Sequence, residues 1–167
     1  MGDRLKLTPT ESVEIRSSTE AALEVEATYG AGAKPPPKHL HPGQDERFEV
    51  LSGTIQVKVD GEQRPLAAGE EIEVPRGAVH QIWNPSAEPA RVLWRTSPGA
   101  RTEQWFRAID RLHREGRVGG NGMPGPLAFG VYLTEYRDVF RLAGPDWLLR
   151  PAFAGLAPIG RARGYSA

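Results

Sequence analysis

The chain contains no cysteine among its 167 residues. This absence excludes disulfide bonds, zinc sites built from thiolates, thiol nucleophiles and iron–sulfur clusters held by cysteine. Histidine and carboxylate side chains are therefore the candidate ligands for any metal ion, and the sequence supplies four histidines.

Two further features are missing: an excess of one charge and a long apolar run. The 21 basic side chains balance 21 acidic ones, so no broad electrostatic surface for nucleic acid or an anionic membrane is expected. No run of about 18 apolar residues is present, and the N-terminal residues lack the apolar core of a signal peptide. We therefore expect a cytoplasmic protein with neither a nucleic-acid nor a membrane partner.

Glycine and proline are abundant, at 19 and 15 residues, and up to about residue 98 they separate short segments in which apolar and polar residues alternate. Such alternation is typical of half-buried strands. The clearest segments lie at 13–16, 23–29, 55–59, 70–75, 79–84 and 90–96. Asp60-Gly61 favours a tight hairpin turn. About seven or eight strands at this spacing predict a sandwich or small barrel over residues 1–98.

Residues 99–167 have a different pattern. Apolar residues recur at helical spacing over 102–115 and again over 127–142, which predicts two helices. The apolar stretch 147–159 is too interrupted by proline, glycine and arginine to span a membrane. We expect an α-helical extension that packs on the barrel or at a subunit interface, with Trp94 against the helices or a partner subunit.

Three of the four histidines lie in the strand region. His39 and His41 are two residues apart, so both imidazoles point to the same face of an extended strand. Glu46 shares the face of apolar Phe48, where a lone carboxylate is costly unless it is paired or binds a cation. Taken singly, these residues and His80 are more often surface or hydrogen-bonded core residues. If they converge, they form an N3O set suited to a divalent first-row metal.

The spacing of these residues resembles the two motifs of the cupin superfamily. The first motif, His-x-His followed by Glu and Gly, is matched by His39, His41, Glu46 and Gly53. The second, Gly-x5-Pro-x-Gly-x2-His-x3-Asn, is matched by Gly69, Pro75, Gly77, His80 and Asn84. One position departs from the pattern, because Ala33 stands where the family has a glycine. The resemblance covers about residues 20–98.

The resemblance implies a mainly β fold, a double-stranded β-helix or RmlC-like jelly-roll barrel, here with an α-helical C-terminal extension. It also implies that a divalent transition metal, Fe, Mn, Ni or Zn, is held inside the barrel. The implied ligands are His39, His41, Glu46 and His80. Because cupins commonly dimerise through barrel strands, a homodimer is expected.

Four more residues are candidates for the wall of a substrate pocket. Gln44 shares the strand parity of Glu46, so its amide either flanks the metal or satisfies backbone groups of the local turn. Phe48, Val57 and Ile82 either line the pocket or fill the core, since the same faces must pack in any barrel.

Two classes of function remain open. The first is a metal-dependent enzyme acting on a small oxygenated molecule. A divalent metal with one carboxylate carries a formal charge of about +1, which favours chelating substrates such as enediols, catechol-like phenols or keto acids. An oxygenase such as a dioxygenase is favoured over a non-redox isomerase, lyase or decarboxylase.

The second class is a module that binds a metal or small ligand without turnover. The lack of a recognisable acid–base pair outside the ligand set favours this class. A metal-free sugar-nucleotide epimerase is disfavoured because it would not need the ligand set. No helix-turn-helix pattern precedes the strands, which argues against a transcription factor.

Overall fold

The computed structural model describes residues 3–166, which form eleven β-strands and three α-helices. The strands are β1 (Arg4–Thr8), β2 (Glu11–Ser18), β3 (Leu23–Tyr29), β4 (His39–Leu40), β5 (Asp45–Ser52), β6 (Thr54–Val59), β7 (Glu62–Ala67), β8 (Glu71–Val74), β9 (His80–Trp83), β10 (Ala90–Ser97) and β11 (Arg141–Leu142). The helices are α1 (Thr102–Arg114), α2 (Pro126–Glu135) and α3 (Asp146–Ala162). Within residues 3–166, no helix combines the length and the apolar character that crossing a membrane requires.

The strands form two antiparallel sheets with the apolar core between them. One sheet has the order β1-β2-β3-β10-β5-β8, and the other has the order β11-β4-β9-β6-β7. Burial alternates along the strands: in β3, Val25 and Ala27 are buried whereas Glu24 and Glu26 are not. This β-sandwich with helices in its C-terminal part confirms the predicted fold class.

Every predicted strand is present, and the hairpin at Asp60-Gly61 joins β6 to β7. Asp60 and Gly61 have φ angles of 48° and 96°, the left-handed pair that a type I′ turn requires. Three strands, β1, β7 and β11, were not predicted. β7 is a sheet edge, where exposed polar residues and Pro65 are tolerated, so its sequence carries little apolar alternation.

The predicted helix over 127–142 is wrong in its C-terminal part. α2 ends at Glu135, and Arg141 and Leu142 form β11, which pairs antiparallel with β4. The edge of the five-stranded sheet offers unpaired backbone groups, and pairing with them satisfies the backbone of this segment. Because Leu142 pairs with His39, the C-terminal segment reaches the predicted ligands.

The last apolar stretch folds as α3, which continues through Pro151 and Pro158. It packs closely on α2, because a Cβ added at Gly130 would lie 2.6 Å from the Cβ of Leu156. Helix residues belong to the same buried cluster as the strands, for example Phe106, Leu112, Val131 and Tyr132. The helices therefore pack against the sheets and share their core.

Candidate functional site

Three imidazoles meet between β4 and β9. His39 lies directly opposite His80 in the antiparallel pair, and their ring centroids are 4.4 Å apart. The ring centroid of His41, which follows β4, is 5.4 Å from each of the other two. One ligand nitrogen from each ring lies within 4.8 Å of the other two. A three-histidine cluster able to hold a metal ion is therefore present.

The Nδ1 atom of each imidazole is held by a backbone carbonyl. His39 Nδ1 lies 3.0 Å from Pro37 O, and His80 Nδ1 lies 3.1 Å from Ala78 O. His41 Nδ1 lies 2.6 Å from the carbonyl of Val139, which belongs to the C-terminal extension. A proton on each Nδ1 leaves each Nε2 with a free lone pair, which is the tautomer that a metal ligand needs.

The carboxylate of Glu46 is buried beside the imidazoles. Its Oε1 accepts a hydrogen bond of 3.0 Å from the indole Nε1 of Trp94 and lies 3.4 Å from His41 Nε2. Its Oε2 lies 3.1 Å from His80 Nε2. Among the described residues, neither Oε2 of Glu46 nor Nε2 of His41 has a well-oriented hydrogen-bond partner. Two buried polar atoms of this site therefore lack a hydrogen-bond partner among the described residues.

Burial and mutual contact set the charges of these groups. Burial, with the neighbouring imidazoles, lowers the pKa of His39 to about 3, and burial also lowers the pKa of His41. Burial alone would raise the pKa of Glu46, but the imidazoles, His41 first, lower it by more. For His80, contact with Glu46 outweighs burial and raises the pKa. At neutral pH, Glu46 is thus a carboxylate, and His39 and His41 are neutral donors.

The donor set fits a divalent cation. When the Nδ1 proton of His80 points to Ala78, its Nε2 lone pair faces the Glu46 oxygen, and two lone pairs at that distance repel unless a proton or a cation lies between them. Three imidazole nitrogens with one carboxylate oxygen suit first-row divalent metals. The residues that would hold such an ion are His39, His41, His80 and Glu46.

A cavity of about 130 Å³ adjoins the imidazoles. Its volume is comparable to the roughly 150 Å³ engineered cavity that accommodates benzene. Seven aromatic side chains on its wall are Tyr29, Phe48, Trp94, Trp105, Phe106, Phe129 and Phe140. The ring of Phe140 stacks on His39, with centroids 4.7 Å apart and an interplanar angle of 19°. The cavity can therefore hold a molecule, or one end of a molecule, about the size of one ring.

The four predicted pocket residues lie in three different places. Phe48 and Ile82 line the cavity. Val57 is buried in the core, paired with Ile82 in the β6–β9 register, and is not one of the described residues on the cavity wall. Gln44 is buried at the junction between strands and helices, where its Nε2 donates to Pro98 O at 2.8 Å and to Thr102 Oγ1 at 2.7 Å. Its amide therefore satisfies groups of a turn and a helix start.

Sequence reasoning missed two parts of the site. The C-terminal segment supplies Phe140 and the Val139 carbonyl, and no local pattern indicates that it returns to the histidines. Glu11 and Tyr29 also line the cavity. The parity of Glu11 with buried Val13 was a usable signal, since residues two apart on a strand share a face.

Comparison with known proteins agrees with this geometry. The family profile described as a cupin domain matches residues 25–95. The tetracenomycin polyketide synthase protein TcmJ of Streptomyces glaucescens is 38% identical over 61 residues, 36% of this chain and 41% of the relative. A protein of Arthrobotrys oligospora named as an oxidoreductase is 33% identical over 89 residues, 51% of this chain and 35% of the relative. This chain thus spans less than half of either relative.

The fold also matches solved structures. KdgF from Halomonas sp. superposes with a TM-score of 0.55 at 23% identity, over 60% of this chain and 92% of that one. At this identity the likeness concerns the fold alone. Together, the family match, the two facing sheets and the histidine cluster at the predicted positions show that residues 25–95 form a cupin domain.

Proposed function

We propose that this protein is a metal-dependent enzyme whose substrate is a small, largely apolar, oxygenated molecule, or the end of one, about one ring in size. The observation that carries the proposal is the placement of the four ligand side chains. The imidazole Nδ1 atoms and Oε1 of Glu46 are hydrogen-bonded elsewhere, which leaves Nε2 and Oε2 atoms to face one another beside an aromatic cavity.

The charge and shape of the site favour a catechol-like or enediol substrate. A divalent metal with the single carboxylate of Glu46 would carry about +1, which attracts a pair of adjacent, partly ionised oxygens. The aromatic walls would pack against the faces of a flat ring. Phe140, stacked on His39, would contact a ring bound at the metal from the side of the C-terminal segment.

The first candidate reaction is oxygenation. A bound redox-active metal such as iron or manganese would supply a site where substrate and dioxygen meet. The residues of this chain would hold the substrate's oxygens toward the ligand cluster and exclude water with the aromatic walls. The relative in Arthrobotrys oligospora that is named as an oxidoreductase supports this candidate.

The second candidate is a non-redox isomerisation or elimination in which the metal acts as a Lewis acid. A specific observation favours it: Glu11 and Tyr29 place a carboxyl–phenol pair on the same cavity wall. The relative in Streptomyces glaucescens that is named as a polyketide synthase protein is consistent with it, since polyketides carry closely spaced carbonyl oxygens.

Elemental analysis of the purified protein tests the metal site. We expect about one divalent metal ion per chain, lost in His39→Ala and kept in His113→Ala, a histidine outside the cluster. Unchanged metal content in His39→Ala would contradict the proposed site.

Reactions with catechol-type and enediol compounds, run with and without oxygen, then separate the candidates. Oxygen uptake that matches product formation identifies an oxygenase. Equal turnover without oxygen identifies the non-redox reaction. Saturable binding with no product under either condition would show a binding module and refute the enzyme.

A further inference from the structure

Glu11 is a half-buried residue whose carboxyl neither the fold nor the ligand cluster uses. It begins β2 on the same face as Val13, which is fully buried, and it lines the cavity that the three imidazoles also line. A glutamate turned into an apolar cavity is costly to ionise and rarely occurs without a specific partner.

Tyr29 is that partner. It is the direct neighbour of Glu11 in the β2–β3 register, it is 4% exposed, and its phenol lowers the pKa of the Glu11 carboxyl. Both side chains are on the cavity wall. The strand register therefore presents a carboxyl and a neighbouring phenol to whatever occupies the cavity.

The surroundings of this pair are largely uncharged. β1 and α1 contribute Leu7, Thr8, Trp105, Phe106 and Ile109 to the cavity wall. The ionisable groups near Glu11 from other strands are Tyr29, the three imidazoles on the same wall and, at longer range, the Glu46 carboxylate. Burial, with a contribution from Glu46, raises the pKa of Glu11 to about 7 although the neighbouring Tyr29 phenol opposes the rise. A carboxyl poised near neutral pH suits a general base.

We propose that Glu11 is a catalytic residue that takes a proton from a carbon next to the substrate's chelating oxygens, and that Tyr29 is its positioning residue. The C–H bond breaks, the proton forms an O–H bond on Glu11, and the electron pair of the C–H bond stays on the substrate as an enolate. Glu11 then returns a proton to the same or a neighbouring carbon, or to a leaving hydroxyl, which departs as water. No oxidant is needed.

This inference rests on the proposed function but not on the choice between its two reactions. Removal of such a proton starts an isomerisation or elimination, and it also prepares a carbon for oxidation. Glu11 and Tyr29 would form the acid–base pair outside the ligand set that the sequence did not reveal.

Hydrogen–deuterium exchange on carbon tests the proposal. The probe is cyclohexane-1,2-dione, which has one ring, two adjacent oxygens and exchangeable C–H bonds. Zinc-loaded protein in D2O is compared with the protein-free solution by proton NMR. We expect the wild type to accelerate exchange and Glu11→Gln to reduce that acceleration by about 100-fold or more. Glu14 lies on the outer face of β2, so Glu14→Gln should accelerate exchange of the probe as much as the wild type does.

Two further measurements separate catalysis from binding. Metal content and the affinity for the probe, by calorimetry, should be the same in Glu11→Gln and in the wild type. The wild-type exchange rate should rise with pH through about 7. In Tyr29→Phe the midpoint should move upward, because the phenol hydroxyl lowers the pKa of the Glu11 carboxyl; a purely structural role of Tyr29 would leave the midpoint in place.

The outcomes distinguish the two proposals. If the wild type binds zinc and the probe, but Glu11→Gln exchanges as fast as the wild type or the wild type gives no acceleration, the role of Glu11 is refuted and the metal site stands. If the wild type binds no metal, the proposed function fails, and the role of Glu11 fails with it.

Discussion

Glu11 lines the cavity and Glu46 contacts two of the imidazoles on its wall, yet the protein treats the charges of these two glutamates in opposite ways. Glu46 faces the imidazoles at 3.1 and 3.4 Å, and its pKa is lowered because its interactions with the imidazoles outweigh burial. Glu11 faces a phenol and an apolar wall, and burial raises its pKa to about 7.

This difference teaches that position relative to the imidazoles, and not burial alone, decides what a carboxyl can do. The ionised Glu46 suits metal ligation, whereas the half-neutral Glu11 suits proton transfer. Separation of two carboxyls by their environments into different roles is a recurring arrangement in enzymes. Variants that change one carboxyl and spare the other test whether these two glutamates act independently.

The largest effect is expected from Glu46→Gln. The amide keeps the shape of the side chain but removes the negative charge and the anionic oxygen. We expect metal affinity to fall by more than the roughly 10- to 100-fold that loss of an outer hydrogen-bond partner costs. Competition with a chromophoric chelator measures the change. Glu11→Gln is the matched control and should bind metal like the wild type; equal losses in both variants would contradict separate roles.

Glu11→Gln should change how stability depends on pH. The folded-state pKa of about 7 lies above the ordinary value of 4.5, so the stability contributed by protonated Glu11 is complete below about 4.5 and is lost as pH rises through 7. One pKa unit corresponds to about 1.4 kcal/mol. We therefore expect the free energy of unfolding of metal-free Glu11→Gln to exceed that of the wild type by roughly 1 to 3 kcal/mol at pH 8 and to equal it near pH 4.5.

Urea unfolding of the metal-free proteins at the two pH values measures this difference. The histidines titrate in both proteins, so the comparison between variant and wild type isolates Glu11. Glu14→Gln, three residues along the same strand, should show no such pH-dependent gain. A constant difference between Glu11→Gln and the wild type at both pH values would argue against a raised pKa of Glu11.

The smallest effect is expected from Trp94→Phe, which removes the indole donor to Glu46 but keeps an aromatic ring. Glu46 Oε1 then loses its hydrogen bond, and we expect metal affinity to fall by about 10-fold. Trp83→Phe is the control, because Trp83 is about equally buried, at 7% against 8%. If Trp83→Phe lowers metal affinity as much as Trp94→Phe does, the Trp94 indole does not act through Glu46.

The strands and the histidine cluster were predictable because their signals are local. Alternation marked strands such as β3, and Asp60-Gly61 marked a hairpin through its left-handed φ angles. The spacing of the four ligand residues follows from a few strands and turns. Where local signals were weak, prediction failed: β7 is a polar edge strand, and β11 has two residues that pair only because β4 offers an edge.

The C-terminal contribution to the site had no local signal at all. Val139 lies 98 residues after His41, and its carbonyl fixes the tautomer of that imidazole. Phe140 stacks on His39 across a similar separation. The entropic cost of closing a long loop depends only weakly on its length. Loop closure alone therefore does not determine which C-terminal residues come back to the histidines. The packing of α1 and α2 against the sheets selects the residues observed.

By itself, the sequence determined the chemical type of the site. Without cysteine, and with His39, His41, Glu46 and His80 at cupin spacing, any metal held here must have imidazole and carboxylate ligands. The tertiary structure decided which nitrogens are free, which carboxyl is ionised and how large the cavity is. Those properties depend on distances and burial between segments far apart in the chain, and a linear pattern of residue types does not contain them.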